Sequence, residues 1–252
     1  MKRLVLTVLI SIFCFLPSGC TNLCPEKVNQ YSIKLGAHSA VTPVSRNSED
    51  WWKLRFQNVL NQTKQGKIDM IFIGDSITHA WEDPGKEVWQ HYYAKRNAVN
   101  MGYGGDRTQH TLWLLQNGEI DGINPKLAVI MIGTNNSNGN DNTSREIGEG
   151  IIAICQQLRS RLPHTKILIL AIFPRGTTYS RQRQKNAEAG MFASAIADNK
   201  WIYYLDIGDK FLDSNGTLTK DIMPDYLHPN AAGYRIWAEE IEPTVAKLMG
   251  EK

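Results

Sequence analysis

Ser76 ends the apolar run Met70-Ile71-Phe72-Ile73-Gly74-Asp75-Ser76. A serine hydroxyl is a poor nucleophile until a neighbouring imidazole accepts its proton. His228 is the candidate base, and Asp225 is the carboxylate that can hold its tautomer and stabilise the imidazolium. The i, i+3 spacing sets both side chains on one side of a helical turn, so that they address the same point. A tetrahedral intermediate also needs donors aimed at its oxyanion. The backbone N–H groups of Ser76 and Gly105 and the side-chain amide of Asn135 are the candidates, and Gly105 would leave room for the acyl group. Together these residue types meet what ester hydrolysis requires. Taken singly, each stretch also reads as a turn, because Gly, Asp, Asn and Ser are turn formers.

The elements that must position these residues are legible as alternating strands and helices. Apolar, β-branched runs at 69–74, 98–101, 127–132, 166–172 and 202–206 read as buried strands. Helical patterns lie between them: one from Ser48-Glu49-Asp50 to near Gly66, a short one around Trp89, Tyr92 and Tyr93, and one over 108–115 opened by Asp106 as N-cap. Further helices read at 144–162, 181–199 and 229–249, the last bent or restarted at Pro243, and 208–225 reads as a long loop. Strands alternating with helices imply a parallel sheet covered on both faces, and right-handed crossovers leave a three-layer α/β/α sandwich. Ligands of such sheets sit beyond the carboxyl ends of the strands, which is where Ser76, Gly105 and Asn135 fall.

The set resembles the SGNH (GDSL) hydrolases, named for Ser, Gly, Asn and His in four blocks. Here the blocks read Ile73-Gly74-Asp75-Ser76, Gly104-Gly105-Asp106, Gly133-Thr134-Asn135-Asn136 and Asp225-Tyr226-Leu227-His228-Pro229, in family order. The resemblance runs from about Trp51 to the C-terminus. It implies a flavodoxin-like five-stranded parallel sheet and ester hydrolysis with neither metal nor cofactor. A closer resemblance is to the catalytic subunits of the intracellular platelet-activating-factor acetylhydrolases. It rests on Asn100-Met101-Gly102-Tyr103-Gly104-Gly105-Asp106-Arg107-Thr108, Leu112-Trp113, Gly118-Glu119, Pro174-Arg175-Gly176 and Arg183-Gln184-Lys185-Asn186. That implies an acetyl or other short acyl group, on an O-acetylated carbohydrate or an acetylated lipid, and by analogy a homodimer.

Composition bounds the rest. The 252 residues suffice for one α/β domain with a full core, and 42% hydrophobic with 21% charged residues is ordinary for a globular chain. The formal charge of +3 includes Lys2 and Arg3, and no basic stripe points to a nucleic-acid partner. Lys2-Arg3, the apolar stretch 4–16 and the small residues after it read as a signal peptide over 1–19. Leu16-Pro17-Ser18-Gly19-Cys20 resembles a bacterial lipobox, which implies a lipid on Cys20 and anchorage to an envelope membrane. A plain signal peptide cut nearby, giving a secreted protein, is the alternative. Residues 20–47 then form a tether that packs in part against a domain over 48–252. Cys155 sits in an apolar helical pattern as a buried thiol, with a bridge to Cys24 left open.

Other residues near the blocks invite weaker readings. His79 reads as a surface or packing residue, and Asp75 as the organiser of the nucleophile turn. Trp81, Trp89 and Trp113 read as core rather than pocket, and Arg107 and Arg175 as solvated charges. Two rival functions remain: a retired, surface-tethered carbohydrate-binding or envelope-structural module on the same fold, and metal-dependent phosphoester hydrolysis through Asp75, Asp225 and His228.

Overall fold

A computed structural model describes residues 33–251. Cys14, Cys20, Cys24 and the signal and lipobox stretches lie outside those residues. Five strands, β1 (Met70–Gly74), β2 (Ala98–Gly102), β3 (Leu127–Met131), β4 (Lys166–Leu170) and β5 (Ile202–Leu205), form one parallel sheet in the order β2-β1-β3-β4-β5. Every residue of β1 and β3 is buried, as expected of strands covered on both faces. The helices are α1 (Asp50–Gln65), α2 (Ser76–His79), α3 (Lys86–Tyr92), α4 (Thr108–Gln116), α5 (Ser144–Arg161), α6 (Arg181–Ser194) and α7 (Ala231–Met249).

Alternation along the strands decides what each face buries. Met70, Phe72, Val129, Met131, Leu168 and Leu170 point to a core shared with Trp237, Ile241 and Val245 of α7 and with Trp81 and Tyr93. Ile71, Ile73, Ala128, Ile130, Ile167 and Ile169 are buried on the other side, where α4, α5 and α6 pack against one another. The result is the three-layer α/β/α sandwich expected from the alternation. The chain moves from β1 out to β2 and then returns past β1 to β3. The strand order therefore reverses between β1 and β3, and open α/β sheets bind ligands at such a switch point.

Several element ends depart from the sequence reading. Helix α2 is a single turn, too short to register as a periodicity. Asp106 does not cap α4: Thr108 N–H donates instead to Asn136 Oδ1 at 3.0 Å, and the Asp106 side chain is buried beneath the loop. Helix α6 stops at Ser194, and α7 starts at Ala231, capped by Asn230, whose Oδ1 accepts from Gly233 N–H. Pro243 sits inside α7, which continues through it to Met249. Residues 33–47 lie on the domain: Thr108 Oγ1 donates to Ala40 O at 2.7 Å, and Glu149 accepts from Gly36 N–H at 2.9 Å and faces His38 Nε2 at 2.8 Å. Cys155 is a buried free thiol, and burial pushes its ionisation up.

Candidate active site

Gly74 ends β1 between Gly102 and Met131, its partners on either side. A Cβ on Gly74 would run into Met131 O and Thr78 Oγ1, and one on Gly102 into the backbone of Thr78 and His79. Only glycine at both positions lets α2 fold back over the sheet edge. Asp75 caps that turn, its Oδ1 accepting from Ile77 N–H at 3.0 Å, and Ser76 becomes the first helical residue. The Ser76 side chain thus stands at the carboxyl end of the strand beside the switch point, half-buried.

His228 and Asp225 arrive from the loop before α7. His228 Nε2 lies 2.8 Å from Ser76 Oγ, and His228 Nδ1 lies 2.6 Å from Asp225 Oδ2. The i, i+3 pair is not a helical turn. Asp225 Oδ1 accepts from Leu227 N–H at 3.0 Å and His228 N–H at 2.8 Å, an Asx-type turn. Within it Tyr226 takes φ +60, and its carbonyl accepts from Gly176 N–H at 2.8 Å. A bulky residue held in the left-handed region costs free energy that the surrounding bonds offset, and such residues gather at functional sites. Tyr234 of α7 donates its hydroxyl to Ile77 O at 2.6 Å, which fastens the histidine-bearing segment to the nucleophile turn.

The donor side comes from the loops after β2 and β3. Gly105 takes φ +73, a conformation that favours glycine, and its amide has no acceptor among the described residues. The need for glycine is conformational: an added Cβ would meet nothing closer than the Arg46 guanidinium at 3.4 Å. Asn135 Nδ2 donates to Asp106 O at 2.9 Å, which orients the amide and leaves its second N–H for another acceptor. Ser76 N–H, at the first position of α2, is also free of backbone partners among the described residues. Ser76, His228 and Asp225 are thus linked by hydrogen bonds, while Gly105 and Asn135, joined through Asp106, lie beyond the carboxyl ends of the strands on either side of β1.

Electrostatics divide the carboxylates into two kinds. Partial burial would raise Asp225, but the hydrogen bonds from the His228 ring and backbone outweigh it and hold the group below its ordinary value. An ionised Asp225 keeps the proton on Nδ1 and leaves Nε2 free to accept from Ser76 Oγ–H. Asp75 is the opposite case: complete burial pushes it up to about 7 against the Ile77 N–H bond, and its Oδ2 is without a partner among the described residues. Asp106 is likewise raised to about 7 by burial, with Arg46 opposing. Both are internal framework groups rather than groups open to a substrate.

Other residues fall where local chemistry puts them. Trp81 is buried against Phe72, Tyr234 and Trp237, Trp89 packs on Phe72 and Tyr93, and Trp113 packs on Trp52 and Phe56, so all three belong to the core. His79 is half-buried; desolvation lowers it, and its Nδ1 accepts from Gly104 N–H at 3.3 Å. Arg107 pairs with Asp141 at 2.7 Å. Arg175 is not a solvated charge: it is half-buried and donates to Thr134 O, Thr134 Oγ1 and Asn138 Oδ1, each at 3.2 Å. Among the described residues, no group of three or more His, Cys, Asp and Glu is placed to hold a metal ion. The sequence reading missed Arg46, whose contacts with the Gly104 loop cross 58 residues of chain and leave no local signal.

Comparison with known proteins places this arrangement. Residues 72–236 match the model of the GDSL-like Lipase/Acylhydrolase family. The platelet-activating factor acetylhydrolase IB subunit alpha2 of Rattus norvegicus is 33% identical over 204 residues, covering 81% of this chain and 87% of that protein. The alpha1 subunit of Bos taurus is 35% identical over 214 residues, covering 84% and 90%. Among solved structures, a GDSL-like lipase from Bacteroides thetaiotaomicron superposes with a TM-score of 0.59 at 17% identity, covering 77% of this chain and 97% of that one. A carbohydrate acetylesterase from Sinorhizobium meliloti gives 0.58 at 18% identity, covering 72% and 100%. At those identities the two structures speak to the fold, whereas the family match and the acetylhydrolase subunits speak to the chemistry. The chain belongs to the GDSL-like lipase/acylhydrolase family and is a carboxylic ester hydrolase.

Proposed function

We propose that this ester hydrolase removes acetyl or other short acyl groups through an acyl-enzyme on Ser76. The observation that carries the reading is the continuous relay from Ser76 Oγ through the His228 ring to Asp225, with links of 2.8 and 2.6 Å. In the first half-reaction Ser76 Oγ bonds to the ester carbonyl carbon while its proton passes to His228 Nε2. The oxyanion that forms takes hydrogen bonds from Ser76 N–H, Gly105 N–H and the second N–H of Asn135. The carbon–oxygen bond to the alcohol then breaks, and His228 returns its proton to the leaving oxygen. Water repeats the sequence on the acyl-enzyme, releasing the acid and restoring the Ser76 hydroxyl. Every step is a proton or acyl transfer among these side chains and water, with neither metal nor cofactor.

Support for a short acyl group comes from relatives named as acetylhydrolase subunits and from a fold neighbour named as a carbohydrate acetylesterase. The alcohol is read as an O-acetylated carbohydrate or an acetylated lipid. The lipobox-like stretch ending at Cys20 supports a lipid-anchored protein of a bacterial envelope, with secretion as the alternative. Anchorage beside envelope polysaccharides favours the sugar ester. By analogy with the acetylhydrolase subunits the chain is read as a homodimer.

A hydrolysis panel tests the reading, with wild type and Ser76→Ala side by side: p-nitrophenyl acetate through octanoate, an acetylated glycan and an acetylated ether phospholipid. Ser76-dependent acetate release from the glycan or the phospholipid is expected, with rates falling as the acyl chain lengthens. A preference for octanoate, or turnover indifferent to loss of Ser76, contradicts it.

A further inference from the structure

Arg46 lies outside the family-matched stretch 72–236 and before every block that carries the site. Its guanidinium is engaged at every nitrogen. Nη1 donates to Gly104 O at 2.6 Å and to Asp106 Oδ1 at 2.7 Å, while Nε and Nη2 donate to the two Glu49 carboxylate oxygens at 2.8 and 2.7 Å. The group also lies over the Trp51 ring, 5.1 Å from its centroid, and Trp51 stacks on His79. A side chain held at all of its nitrogens is a rigid template rather than a mobile surface charge.

What it holds is the donor side of the site. Gly104 C=O and Gly105 N–H are the two ends of one planar peptide group. Fixing the oxygen therefore fixes the direction in which the amide hydrogen points. A charged donor on the carbonyl also polarises the amide and strengthens the opposite N–H as a donor. The preceding peptide is held too, since Gly104 N–H donates to His79 Nδ1 at 3.3 Å. The second path runs through Asp106: its carboxylate accepts from Arg46 and from Trp52 Nε1 at 3.0 Å, and its carbonyl accepts from Asn135 Nδ2 at 2.9 Å. Glu49 balances the Arg46 charge, so geometry rather than attraction of an anionic substrate is the consequence.

We infer that Arg46 is a positioning residue for the oxyanion hole, aiming Gly105 N–H through the Gly104 carbonyl and Asn135 through Asp106. The inference rests on the proposed serine-esterase reading and deepens it. A lysine in its place supplies a point charge but not the planar fork that spans Gly104 O, Asp106 and Glu49 at once.

The test uses the full chain with p-nitrophenyl acetate as substrate and phenylboronic acid as a tetrahedral-adduct probe, comparing wild type, Arg46→Ala, Arg46→Lys and Ser76→Ala. Removing an oxyanion donor outright lowers kcat by roughly 10²–10³, so misaiming donors is expected to lower it at least about tenfold in Arg46→Ala. KM should stay within about threefold, because the interaction matters in the transition state. Boronate affinity should fall in step with kcat/KM, Arg46→Lys should recover only part of the loss, and added guanidinium ion should raise kcat of Arg46→Ala. Near-wild-type kcat in either variant overturns the inference, as does a loss confined to KM with boronate affinity unchanged. If Arg46→Ala does not fold, Arg46→Lys alone decides by the same kcat and boronate criteria. Ser76→Ala separates the two levels: activity in that variant defeats the esterase mechanism itself, whereas an inactive Ser76→Ala beside a fully active Arg46→Lys defeats the Arg46 role alone.

Discussion

Asp225 holds His228 at two points: Oδ2 lies 2.6 Å from the ring Nδ1, and Oδ1 accepts the His228 backbone N–H at 2.8 Å. One carboxylate thus sets both the backbone of the base and its tautomer. Asp225→Asn can keep the backbone bond through its amide oxygen, but it then turns an NH₂ towards Nδ1. The ring answers by carrying its proton on Nε2, where it meets the Ser76 hydroxyl as a donor rather than as an acceptor. The expected result is a fall in kcat of about 10²–10⁴ with little change in KM, smaller than the loss in Ser76→Ala or His228→Ala. Steady-state kinetics on p-nitrophenyl acetate measure it.

Asp75 lends itself to a pH test whose sign is fixed by its burial. The folded protein keeps the Asp75 proton up to about 7, whereas the unfolded chain releases it near the ordinary 3.8. Between those values the folded state binds more protons, so this group makes stability fall as pH rises. Asp75→Asn keeps an oxygen to cap Ile77 N–H and removes the buried charge. Relative to wild type, its melting temperature should gain more at pH 8 than at pH 5, read by thermal unfolding at both pH values. A gain equal at the two pH values would mean that Asp75 does not titrate in this range.

Gly74 offers a packing test that also reads out the site. An added methyl would collide with Met131 O on the neighbouring strand and with Thr78 Oγ1 of the nucleophile turn. Backbone cannot yield as a flexible side chain does, so Gly74→Ala should destabilise by about 1–3 kcal/mol. Because Ser76 is two residues away, kcat should drop as well. Denaturant unfolding and kinetics on one preparation measure both effects, and a variant of wild-type stability would show that the turn has slack.

How much of this was legible beforehand depends on the range over which each signal acts. Strands such as β3, part of an unbroken apolar run from Leu127 to Ile132 that stops at Gly133, announce themselves because burial on both faces needs continuous hydrophobicity. Ser76, Gly105 and Asn135 were legible for a related reason, since each follows an apolar run and so falls at the carboxyl end of a strand in one parallel sheet. Asp225 and His228 follow no strand and were legible only as an acid and a base three residues apart before the last helix. The turn around Asp225 was read as helical because i, i+3 spacing fits a helix, but one carboxylate oxygen wrapping two successive N–H groups satisfies the same spacing. Asp106 resembled a helix cap by type and place, and only the folded chain shows Arg46 and Trp52 claiming its side chain. Arg46 and His79 act across the fold on backbone atoms of Gly104, and no local pattern of residue types encodes such a contact.

The most direct test of the central claim, that His228 activates Ser76 as the nucleophile, is covalent labelling by a fluorophosphonate followed by mass analysis of the peptides. The expected result is one phosphonyl group per chain, on the peptide that carries Ser76, absent in Ser76→Ala and formed far more slowly in His228→Ala. Esterase activity that survives without any label on Ser76, or labelling as fast without His228 as with it, would contradict it.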